Sequence, residues 1–90
     1  MKISIELTLT PLQDDYEMYI KNFIKELRKS KFKVIENSLS THIYGDYDHL
    51  TKFLIPIIKS NFKDQKNVVL QMKILPGRNR MKLLRILITT

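Results

Sequence analysis

The side chains that could do chemistry gather in one stretch, SLSTHIYGDYDHL, residues 38–50. Ser38, Ser40 and Thr41 bring hydroxyls, His42 and His49 imidazoles, Tyr44 a ring, and Asp46 and Asp48 carboxylates. Catalysis would need these groups in arrangements that the spacing does not supply. No serine stands in a nucleophile elbow, and two glycines, Gly45 and Gly77, are too few for a phosphate-cradling loop. The histidines have neither cysteine nor a tight carboxylate cluster beside them, so no metal centre is expected. The stretch suits binding without chemistry, and no enzyme activity and no cofactor are expected. The bland reading is a hairpin followed by a helix cap.

The flanking elements must position this stretch. In KISIELTLT, Ile3, Ile5, Leu7 and Leu9 alternate with polar residues, the period of a half-buried strand that Pro11 stops. From Gln13 to Ser30, Tyr16, Ile20, Phe23, Ile24 and Leu27 recur at helical spacing, with Asp14, Asp15 and Glu17 at the start as the helix dipole favours. FKVIEN (32–37) and THIYG (41–45) read as two more strands, joined through Ser38, Leu39 and Ser40. Asp46 suits an N-cap, and Leu50, Phe53, Leu54, Ile57, Ile58 and Phe62 form the apolar face of a second helix. Pro56 deletes a backbone hydrogen bond there and predicts a kink or a loosened turn. NVVLQMKIL (67–75) alternates again and ends at Pro76 and Gly77.

The order β-α-β-β-α-β predicts an α+β fold, a ferredoxin-like sandwich with a four-stranded antiparallel sheet and two helices on one face. Residues 1–75 form the domain. Residues 76–90, basic and apolar, form a C-terminal extension expected to be an extra strand, a short helix or an assembly arm. The uncovered sheet face should present Ser4, Glu6, Thr8, Gln71 and Lys73, joined by His42 and Tyr44 if Thr41 and Ile43 face the helices. The loop after the first strand, TPLQDDY, is acidic, whereas acylphosphatases on this fold need an arginine and a glycine-rich loop there.

"ISIELTLTPL", the S-T-x-x-x-G-D/E pattern in "STHIYGDYD" and the element order together resemble the thiamin-binding family that includes the YkoF-type hydroxymethylpyrimidine/thiamin-binding proteins. The resemblance covers about residues 2–75. It implies a small domain that associates through its sheets and binds thiamin or its pyrimidine moiety, with Ser40, Thr41, Gly45 and Asp46 as motif positions. A thiamin-like ligand needs a ring to stack on, hydrogen-bond partners for the pyrimidine and a carboxylate or aromatic face for the thiazolium cation. The expected ligand-binding set is Glu6, Thr8, Asn37, Ser40, Thr41 and Tyr44, with Tyr44 stacking and Glu6 meeting the cation or the amine. Each also has a plainer role: hairpin closure for Ser40 and Thr41, a helix cap for Asp46, a sharp strand exit for Gly45, and cross-strand pairing for Glu6.

Composition frames these readings. Ninety residues make one domain, and 43% apolar with 28% charged residues is ordinary globular usage. The chain has no cysteine, and no apolar run approaches the roughly 20 residues that span a bilayer. A cytoplasmic homo-oligomer, a dimer or tetramer without a membrane partner, is expected. Of the formal net charge of +7, residues 65–90 hold Lys66, Lys73, Arg78, Arg80, Lys82 and Arg85 with no acid. That end can attract nucleic acid, anionic lipid or a phosphorylated ligand, or serve only as a solvated tail, and the aromatic signature of an RNA-recognition motif is missing, since ISIELTLT has no ring. An assembly domain without a ligand remains the second reading.

Overall fold

The alternation of Ile3, Ile5 and Leu7 becomes the centre of a sheet. In the computed structural model, which describes residues 1–37, 40–65 and 67–77, the elements are β1 (Lys2–Pro11), α1 (Tyr16–Arg28), β2 (Lys33–Glu36), β3 (Thr41–Asp46), α2 (Tyr47–Lys63) and β4 (Val68–Pro76). The four strands pair antiparallel in the order β2-β3-β1-β4. This is the ferredoxin-like α+β arrangement.

Ile3, Ile5, Leu7 and Ile43 are buried on one sheet face and cluster with Phe23 and Leu27 of α1 and Leu50 and Leu54 of α2. Both helices therefore lie on that face. Burying each such side chain contributes roughly 1.5–3 kcal/mol. Cross-strand register fixes the opposite face: Ser4 stands opposite Tyr44 and Leu75, Glu6 opposite His42 and Lys73, and Thr8 opposite Gln71. Lys33 and Ile35 of β2 extend the same face beyond Tyr44 and His42.

Element ends depart from the sequence reading for local reasons. α1 begins at Tyr16 rather than Gln13, because the Leu12 amide donates to the Asn67 carbonyl (2.8 Å) and ties the preceding residues to the approach of β4. It ends at Arg28 rather than Ser30, because the Ser30 hydroxyl donates to the Leu27 carbonyl (2.7 Å) and closes the last turn. α2 runs unbroken through Pro56, so the missing amide opens no gap in the helix. No described helix is long and apolar enough to cross a membrane. Ser38, Leu39 and, apart from Pro76 and Gly77, the C-terminal extension lie outside the described residues.

Candidate functional site

The six residues expected to bind a ligand do not converge on one place. Thr8, Asn37, Ser40 and Thr41 border a cleft of about 100 Å³ at the hairpin end of the sheet, walled on its other sides by Leu7, Leu9, Ile20, Phe23 and Ile24. Glu6 and Tyr44 do not line it. Glu6 is half-buried on the open face, set by register between His42 and Lys73, so opposite charge already faces its carboxylate. Tyr44 lies four residues beyond Ser40 on β3, about 13 Å along an extended strand. A single small ring cannot touch both. Tyr44 instead walls a hollow of about 350 Å³ with Lys2, Lys33, Ile35 and Gly77.

The cleft is built by the β2–β3 hairpin. Asn37 and Ser40 close it: the Asn37 amide donates to the Ser40 carbonyl (3.0 Å), and the Ser40 amide donates to Asn37 Oδ1 (2.9 Å). Hairpin closure is thus a role of Asn37 and Ser40, and Thr41 starts β3, buried against the core opposite Leu7. Ser40 Oγ lies 3.2 Å from His42 Nε2. That is the spacing of a nucleophile and its base, and the Ser40 amide beside it is taken by Asn37 Oδ1. The contact holds the hydroxyl in place at the cleft's edge. Apolar walls beneath a few converging polar groups are how ligand sites are commonly lined.

Two motif positions have explanations that sequence reasoning missed. Gly45 does not serve a sharp strand exit, since it lies within β3, paired with Ile3, and has no positive φ. A Cβ there would stand 2.5 Å from Cδ1 of Phe32, so the missing side chain makes room for that ring. Phe32 in turn packs against Phe53, with centroids 5.5 Å apart. Asp46 occupies the N-cap position of α2 but makes no side-chain capping bond. Its carboxylate accepts from the Met1 ammonium (3.3 Å) and lies 3.1 Å from His49 Nδ1. The hydrogen bond from the ammonium, aided by His49, holds its pKa below the ordinary carboxylate value against a smaller opposing effect of desolvation.

Ser4 is fully buried on the open face, directly across from Tyr44, and its hydroxyl has no hydrogen-bond partner among the described residues. No group of three or more His, Cys, Asp or Glu suited to a metal occurs among them either.

The fold and its two-sided sheet define a ferredoxin-like α+β domain. A protein from Streptococcus pneumoniae shares it at a TM-score of 0.81, with 23% identity over 96% of this chain and 98% of its own. A Thermotoga maritima protein provisionally assigned to thiamine biosynthesis/salvage matches at 0.80, with 15% identity over 96% and 99%. A hypothetical protein from Methanocaldococcus jannascii matches at 0.74, with 26% identity over 94% and 95%. No protein-family model and no curated protein matches the sequence. These similarities establish the fold.

Proposed function

We propose that this domain binds thiamin or a related pyrimidine, hydroxymethylpyrimidine or thiamin phosphate, without transforming it. The carrying observation is the cleft where Asn37, Ser40 and Thr41 stand beside apolar side chains of α1 and β1, with Thr8 bordering it between Leu7 and Leu9. Its volume of about 100 Å³ suits part of a heteroaromatic ring and not a whole thiamin. The pyrimidine therefore enters edge-first at the hairpin, and the thiazolium stays outside. The provisional role of the Thermotoga maritima fold relative supports the same class of ligand. Tyr44 is too far along β3 to stack on a ring held there, which narrows the expected set to the residues of the cleft, with Glu6 along the strand from Thr8.

Calorimetry of the full chain with the three compounds is the test. Thr41→Val keeps the shape and removes the hydroxyl, and an unpaired ligand group costs about 1–3 kcal/mol, a several-fold to hundred-fold loss of affinity. Tyr44→Leu should leave binding unchanged. Absence of heat with all three at millimolar ligand, from folded protein, refutes the reading. The alternative, an assembly domain with no ligand, then gains, and light scattering over a range of salt checks it.

A further inference from the structure

The run RKSKFK, residues 28–33, joins α1 to β2 and places Lys29, Lys31 and Lys33 along one groove with Lys2. The groove measures about 690 Å³, within the range of small-molecule sites, and lies at the end of β3 away from the hairpin cleft. It continues into the 350 Å³ hollow of the open face, with Lys2, Lys33, Tyr44 and Gly45 common to both. Its charge is one-sided. Lys29 is paired with Glu26 (2.7 Å), but Lys2, Lys31 and Lys33 make no ion pair among the described residues. Asp46, the carboxylate lining the groove, is engaged by the Met1 ammonium and His49. The negative end of the α1 dipole points here, yet the Leu27 carbonyl is taken by the Ser30 amide and hydroxyl, and the effect fades within a turn. Tyr44 supplies an amphipathic ring between the two hollows.

We propose that this groove is a second binding site, for a phosphorylated aromatic small molecule of the nucleoside monophosphate type, with Lys31 and Lys33 on the phosphate and Tyr44 against the ring. Point cations on flexible stems suit a phosphate whose position varies, and an aromatic face beside them favours a phosphate ester over the bare ion. The site is independent of the pyrimidine reading, since the two hollows occupy opposite ends of β3.

Adenosine monophosphate, adenosine and inorganic phosphate, titrated into the full chain and followed by NMR shifts, form the test. The monophosphate should bind more tightly than either part alone and weaken with added salt, as exposed charges do. K31Q/K33Q should lower its affinity roughly tenfold without changing the melting temperature. Tyr44→Leu should weaken the monophosphate several-fold and leave inorganic phosphate unchanged, whereas Thr41→Val should affect neither. Equal affinity for monophosphate and phosphate overturns the proposal, as does binding unaffected by K31Q/K33Q. So does failure of the monophosphate to shift any resonance at millimolar concentration. An affinity for single-stranded oligonucleotides that rises with length overturns it in favour of a nucleic-acid surface.

Discussion

Replacing Gly45 by alanine tests whether the glycine of STHIYGD is there for Phe32. The added Cβ would sit 2.5 Å from Cδ1 and 2.8 Å from Cε1 of that ring, against 3.4–4 Å for an ordinary contact. The ring must retreat by about 1 Å, and overpacking of that kind costs about 1–3 kcal/mol. Its contact with Phe53 is disturbed as well, which puts about 0.5–1.5 kcal/mol more at risk. Alanine opposes these losses by restricting the unfolded chain, a gain of about 0.4–1 kcal/mol. The crowding wins, with a net destabilisation of about 1–3 kcal/mol. For a domain of this size that lowers the melting temperature by roughly 5–20 °C, measured by circular dichroism. Phe32→Leu separates crowding from any intrinsic dislike of alanine on β3. In that background Gly45→Ala should cost far less, a coupling of about 1 kcal/mol or more between the two positions. Equal costs in both backgrounds would refute the argument.

Gly77 donates its amide to the Lys2 carbonyl (2.9 Å) at φ +101°, so Gly77→Ala should cost about 1–2 kcal/mol by urea unfolding although a Cβ there meets nothing within 4 Å. Leu27→Ala, at a fully buried core position, should cost about 2–5 kcal/mol in the same assay. Asp46 has its folded pKa held below the ordinary 3.8, so its contribution is present at neutral pH and is lost as pH falls below that value. Asp46→Asn should therefore lower stability at pH 7 and flatten the fall below about pH 4 in thermal melts.

The strands were legible because alternation shows burial directly: Ile3, Ile5 and Leu7 face the helices, and Ser4, Glu6 and Thr8 face away. Parity also placed Tyr44 and His42 on the open face. Contacts between distant residues were not legible. Nothing in the spacing announces that Phe32 lies on Gly45, or that Asn67 holds Leu12 and delays α1. The basic groove was hidden by accounting. Residues 1–64 hold ten basic and nine acidic side chains, and that near-balance conceals the RKSKFK run. Glu26 and Asp46 pair locally, so the acids do not neutralise Lys31 and Lys33.

The polar stretch that carries the resemblance divides between the two ends of one strand. Its first half, Ser40 and Thr41, belongs to the hairpin and the small apolar cleft over Phe23. Its second half, Tyr44, Gly45 and Asp46, belongs to the exit of β3, where Lys33 and Lys2 stand alongside. An extended backbone cannot fold these halves together, because each residue adds about 3.3 Å. A motif spaced like this on a helix could mark one site, since residues three or four apart share a face and nearly touch. On a strand the same spacing marks two. A ligand that bridges them must cover about 13 Å of strand and pass from the helix-side cleft of Thr41 to the opposite face of Tyr44. A lone pyrimidine is too short for that. The Thr41→Val and Tyr44→Leu variants should therefore act on different ligands, and loss of one ligand's binding in both variants would show that one molecule spans the strand.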